Sequence, residues 1–303
     1  MSTIAEQEAL VAELRRSRGE EHPDTLAAML DLAELLWKEG RVGETIRYNL
    51  EGRLGEGVSA KDVFLHIAGT YCDHANQNVE FGGSALAYLS IDARRTLTTM
   101  GAELSAEFST FEPNQALIDY VKARNPAPFE PQYPDADATY RARHTIDLSA
   151  LSPMVALPDR VIRNAVPVED AAGEPIQQAF IGSCANGTLD DLAEAARVLT
   201  GRHVAPGVRL LVTPGSQRIF AAASKAGYVQ TLLEAGAVVT PATCGACYGG
   251  HMGVLGPGET CITASTRNFK GRMGDATARI YMASPATVAA SAVAGHIAHP
   301  ASF

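Results

Sequence analysis

Three cysteines and two arginines carry most of the chemistry legible in this chain of 303 residues. Cys184 lies in Phe180-Ile-Gly-Ser-Cys184-Ala-Asn-Gly187, and the other two lie in Pro241-Ala-Thr-Cys244-Gly-Ala-Cys247-Tyr-Gly-Gly250. Three thiolates suffice for three irons of a [4Fe–4S] cluster, leaving the fourth iron open as a Lewis acid for a hydroxyl or carboxylate. The same spacing admits a zinc site, with His251 as the fourth ligand, or no metal at all. Arg267 and Arg272 follow, five residues apart in Thr266-Arg267-Asn-Phe-Lys-Gly-Arg272. A guanidinium binds carboxylate bidentately, so the pair reads as a carboxylate clamp or as two surface arginines of a loop. Glu80, in Asn78-Val-Glu80-Phe-Gly-Gly83, is either a surface residue or an oriented acid–base partner.

These residues need a frame. Residues 176–303 alternate strand and helix: strands at 178–182, 209–213, 237–241 and 260–263, and helices at 190–200, 216–235 and 285–295, the last capped by Ser284. The class is α/β, with parallel sheets flanked by helices. In such sheets ligands bind beyond the carboxyl ends of the strands. Cys184, Cys244 and Arg267 each follow a different strand, so one sheet edge is expected to collect them. Residues 46–123 read as a smaller α/β unit, with Ser59 capping a helix from Ala60. Pro126, Pro128, Pro131 and Pro134 mark residues 124–175 as a linker and connecting segment. Residues 1–45 read as a short all-helical segment of two helices, the second ending near Gly40.

Composition narrows the classes of function. A net charge of −9 gives no basic stripe for nucleic acid. The longest apolar stretch, 286–298, is built of small residues, contains His296 and is too short to span a bilayer. Residues 1–21 are acidic and lack the apolar core of a signal peptide. Five cysteines are odd in number and too few for a disulfide scaffold. A reducing cytoplasm is therefore expected, with no nucleic-acid or membrane partner. Cys72 and Cys261 read as small core hydrophobes.

Gly182-Ser-Cys184-Ala-Asn186 resembles the first cluster-cysteine motif of the aconitase superfamily. Cys244-Gly-Ala-Cys247-Tyr-Gly-Gly resembles the motif that carries the other two cysteines. Arg267-Asn-Phe-Lys-Gly-Arg272 is similar to its substrate-binding segment, and residues 283–295 to its C-terminal helix. The resemblance runs from about Glu51 to Pro300 and is closest to the large subunits of 3-isopropylmalate dehydratase and homoaconitase. It implies a hydro-lyase, a dehydratase or isomerase of a hydroxy-di- or tricarboxylate such as 3-isopropylmalate, placed in leucine biosynthesis. It further implies a [4Fe–4S] cluster on Cys184, Cys244 and Cys247, carboxylate binding by Arg267 and Arg272, and Glu80 as the acid near the open iron. A separate small, swivelling-domain subunit is the implied partner. The family's first domain, with its histidines and Asp-Ser-His motif, has no counterpart in residues 1–45. Thr99 stands where relatives commonly carry asparagine. A poor catalyst when alone is therefore expected, the alternative being a non-catalytic, cluster-binding scaffold.

Overall fold

The computed structural model describes residues 3–19, 22–38, 43–71 and 73–303. Gly40 and Cys72 lie outside the described residues. Thr3 and Glu6 form a capping box that starts helix α1 (Ile4–Arg18), and Pro23 opens α2 (Pro23–Lys38). Ile4 and Val11 of α1 meet Ala28, Met29 and Leu32 of α2 in a small core, with Ala75 packed against it. The two expected N-terminal helices are therefore present and bury one apolar face against each other.

A four-stranded sheet follows. Its elements are β1 (Glu44–Glu51), α3 (Ala60–Thr70), β2 (Gln77–Gly82), α4 (Ile91–Met100), β3 (Ser109–Phe111), α5 (Gln115–Lys122) and β4 (Ala142–Asp147). The strand order is β3-β2-β1-β4, with every neighbouring pair parallel. Ser59 and Asp62 cap α3 reciprocally, as the sequence predicts. Val63, Phe64, Leu65 and Ile67 of that helix are fully buried. Each contributes about 1.5–3 kcal/mol by leaving water.

The second sheet has seven strands in the order β6-β5-β11-β10-β7-β8-β9. Its elements are β5 (Met154–Ala156), β6 (Ala165–Pro167), β7 (Gln178–Gly182), α6 (Ser183–Asn186), α7 (Leu189–Leu199), β8 (Arg209–Thr213), α8 (Gln217–Lys225), α9 (Tyr228–Glu234), β9 (Val238–Val239), β10 (Thr260–Thr263), β11 (Arg279–Ala283) and α10 (Pro285–Ala294). Only β5 and β6 run antiparallel to their neighbours. The chain is thus the α/β type expected, with parallel strands flanked by helices.

Three details differ from the sequence reading. The proline-rich segment 124–175 supplies β4 to the first sheet and β5 and β6 to the edge of the second. Strand β11 was not expected, and it lies between β5 and β10. The helix read over 216–235 is two helices, because Gly227 adopts φ 84° between them.

The two sheets share a core. Ala156, Ala185 and Met282 from the second sheet pack among Leu65, Leu97 and Met100 of the first. Thr96 Oγ1 on α4 donates to the Ala185 carbonyl at 2.9 Å, beside Cys184. The Met154 amide donates to Asp62 Oδ1 at 2.9 Å.

Candidate active site

The carboxyl ends of β7, β8, β9 and β10 form one edge, and the predicted residues rise from it. Gly182 ends β7 at φ 148°, and Ser183 follows at φ 63°, a left-handed conformation that L-residues seldom adopt. This turn presents Cys184 to solvent at the start of α6. The Ser183 Oγ and the Asn186 Oδ1 are buried on either side of Cys184 with no hydrogen-bond partner. Orphaned polar atoms of this kind are uncommon in native folds and call for an occupant or a function.

Cys244 caps a 3₁₀ turn, Gly245–Cys247, and Cys247 is its last residue. A Cβ on Gly245 would lie 2.3 Å from Thr213 Oγ1 and 3.0 Å from Phe180 Cζ, so the turn sits directly on the ends of β7 and β8. A Cβ on Gly182 would lie 2.3 Å from the Thr213 carbonyl oxygen. Both cysteine turns therefore close on the same residue, Thr213, and glycine permits the approach in each case. Cys244 is exposed and Cys247 is buried.

Cys247 has an electropositive neighbour. Arg272 Nε donates to its carbonyl at 3.0 Å, and Arg272 Nη2 stands 3.7 Å from its Sγ. Burial alone pushes the Cys247 thiol up, but Arg272 and the Thr266 hydroxyl outweigh it and hold the thiol below its usual value. By contrast Cys261 is fully buried beside Phe180 and Ile280, and burial pushes its thiol up to about 12. It is the inert core residue that its type suggests.

Arg267 leaves the same edge after β10, and its Nε donates to Glu103 Oε1 at 2.8 Å. Glu103 lies in the 3₁₀ turn Gly101–Leu104 that follows α4. Burial raises its carboxyl above the ordinary range, against the opposing charges of Arg267, Lys61 and Arg272. Glu103, Arg267, Arg160, Asn268 and Phe269 line a cleft of 230 Å³. Two larger cavities, of 440 and 590 Å³, border the N-terminal helices, and neither they nor this cleft are lined by a cysteine.

Glu80 is placed elsewhere. It sits within β2, paired in register with Arg47 of β1. Arg47 Nη1 and the Tyr140 hydroxyl both donate to its Oε1, the latter at 2.9 Å. Its partners are thus Arg47 of β1 and Tyr140, two residues before β4, and the acid paired with Arg267 is Glu103. His251, the fourth ligand of a zinc reading, instead has its Nε2 within 3.0 Å of Thr243 Oγ1. Among the described residues no three His, Cys, Asp or Glu are gathered as ligands of a single metal ion. Thiolates of a cluster each bind a different iron, so they stand farther apart than the ligands of one ion.

Cys184, Cys244, Cys247 and Arg267 thus lie in segments that follow the carboxyl ends of parallel strands, with Arg272 against Cys247 and Glu103 against Arg267, and such strand ends are where this class of protein builds its binding sites. Residues 32–295 match the aconitase (aconitate hydratase) family model, and the chain belongs to that family. It is 57% identical over 253 residues to a 3-isopropylmalate dehydratase large subunit of Mycolicibacterium smegmatis, covering 84% of this chain and 60% of that protein. It is 44% identical to 3-isopropylmalate dehydratase large subunit 1 of Methanopyrus kandleri, covering 86% and 62%. It is 42% identical to a 2,3-dimethylmalate dehydratase large subunit of Eubacterium barkeri, again covering 86% and 62%. The chain spans less than two thirds of the length of these curated relatives.

Proposed function

We propose that this chain is a large-subunit component of a hydro-lyase that dehydrates a hydroxy-dicarboxylate of the 3-isopropylmalate type. The observation that carries the reading is the Arg267–Glu103 pair at 2.8 Å, standing on the same edge as Arg272 and Cys247. Arg267 offers the substrate carboxylate a planar fork at the mouth of the cleft. Glu103 holds a carboxyl whose raised pKa suits it to carry a proton to or from the reacting hydroxyl. Phe269 lines the cleft and lies 5.3 Å from the Arg272 guanidinium, measured from its ring centre. The relatives' names, which specify large subunits, support a separate small subunit as the partner.

Cys184, Cys244 and Cys247 would hold a [4Fe–4S] cluster. The donor set fits it: two exposed thiols and one thiol lowered by Arg272, in turns that share Thr213, with buried orphan atoms at Ser183 and Asn186. When bound, such a cluster supplies Lewis acidity toward hydroxyl and carboxylate oxygens. Anaerobic reconstitution with iron and sulfide, followed by a dehydration assay with and without a small subunit, tests the proposal. Cluster absorbance that is lost in Cys184→Ser, together with turnover in the presence of the partner, is expected. Iron incorporation unaffected by that substitution, or no turnover with any partner, would overturn it.

A further inference from the structure

Lys61 is the second residue of α3, and its side chain is completely buried between the two sheets. Its Nζ donates to the Ser265 carbonyl at 3.0 Å and lies 3.3 Å from Met100 Sδ and 3.9 Å from Met282 Sδ. Ser265 is two residues before Arg267, and Met100 is three before Glu103. One ammonium therefore touches both segments whose ends form the Arg267–Glu103 pair. We propose that Lys61 is a positioning residue, which ties the 264–272 segment to the end of α4 and so sets the geometry of the Arg267–Glu103 pair.

The fold by itself gives no reason for a lysine here. An ammonium with one oxygen acceptor and two thioethers is poorly compensated for leaving water. The first turn of a helix also disfavours positive charge. Methionine would fill the same volume beside Met100 and Met282 without either cost. The charges around Nζ are Asp191 on α7, Glu103, Cys247 and Asp62, and none is in direct contact with it. What Nζ does contact is the Ser265 carbonyl and Met100 Sδ, from the two site-bearing segments, and more distantly Met282 Sδ of β11. The 264–272 segment is held to the second sheet and its loops by the Ala264 amide on the Phe180 carbonyl, the Ser265 amide on Thr263 Oγ1, Asn268 on the Leu157 and Arg160 carbonyls, and Arg272 on the Cys247 carbonyl. The Ser265 contact is the backbone tie from this segment to the first sheet's unit, beside the side-chain tie made by the Arg267–Glu103 pair itself.

The test compares the full chain with Lys61→Met by hydrogen exchange and thermal unfolding. Exchange is expected to rise at least tenfold at 264–272 and 101–104, with the melting temperature within a few degrees of the parent and other regions unchanged. A purely structural lysine would instead lower the melting temperature and raise exchange throughout. The second readout, binding of L-malate, rests on the proposed carboxylate site and is expected to weaken about tenfold in the variant. If the parent does not bind L-malate but the local exchange changes, the carboxylate reading fails and the positioning role stands. Exchange at both segments equal to the parent's would overturn the role, whatever malate does. Lys61→Gln, which keeps a donor without the charge, reads the same segments if Lys61→Met folds poorly. Failure of both to fold would also overturn it, by making Lys61 a fold residue.

Discussion

Glu103 and Arg267 show what a motif reading reaches at the scale of single residues and what it misses. The cysteines and arginines were legible because their chemistry is compressed into short segments of distinctive type. Glu103 was not, because its partner is 164 positions away and nothing local distinguishes it from any helix-end glutamate. Glu80, the acid that the family resemblance implies, is instead paired with Arg47 by the register of β1 and β2. The two glutamates therefore make a clean contrast. Glu103→Gln is expected to lower the dehydration rate of the reconstituted enzyme by about 10²-fold, the usual scale for removing a general acid–base group, while leaving the fold intact. Glu80→Gln disturbs the Arg47 network and is expected to alter thermal stability more than rate. Steady-state kinetics and melting curves on the two variants separate them, and equal rate losses would sink the assignment. Arg267→Lys keeps the charge but loses the fork that engages Glu103, so dicarboxylate affinity is expected to fall by about 1–3 kcal/mol with little change in melting temperature. Titration calorimetry decides this, and a variant that binds as the parent does would show that Arg267 is no clamp.

Among the elements, the turn from β7 into α6 carries the most consequence per residue. It joins a glycine at φ 148°, a serine at φ 63° and an exposed thiol within three positions. A methyl group at Gly182 would meet the Thr213 carbonyl oxygen at 2.3 Å, which backbone cannot yield cheaply. Gly182→Ala is thus expected to destabilise the chain by about 2–4 kcal/mol and to change the alkylation rate of Cys184, both measurable on the protein without iron. Parent-like stability would mean the turn is less constrained than its dihedrals say. The central strands β7, β8 and β10 were readable because each is a mainly apolar run bounded by turn residues. Strands β5 and β6 were hidden by their brevity, Met154–Ala156 and Ala165–Pro167 having three residues each, and β4 by its polar sequence Ala-Arg-His-Thr-Ile-Asp after a proline-rich stretch. Their pairing is decided by the sheet edges they meet rather than by their own pattern.

The whole molecule is two sheets joined over a buried polar seam, and that seam has a pH signature. Lys61 and Asp62 are both fully buried there. Asp62 accepts from the Ser59 amide at 2.8 Å and from the Met154 amide at 2.9 Å, yet burial dominates and pushes its carboxyl up to about 6. Burial likewise pushes the Lys61 ammonium down to about 8, against the attraction of Asp191 and Glu103. The signs follow from linkage. A carboxyl raised in the folded state contributes stability that is present below its unfolded pKa and lost as pH rises through about 6. An ammonium lowered in the folded state contributes stability that is present above its unfolded pKa and lost as pH falls through about 8. Between those values both groups are charged and the seam is at its weakest. Only the seam can produce a rise on the alkaline side that disappears with one lysine. The stability of the parent relative to Lys61→Met is therefore expected to increase from pH 8 toward 10.5, the interval between the folded and unfolded values of Lys61. Urea unfolding midpoints of the two proteins at pH 7.0 and 9.5, one below the folded value of about 8 and one between it and the unfolded value, check this directly. A constant difference between them across that interval would mean that water reaches the seam and that the ammonium is not held dry between the sheets.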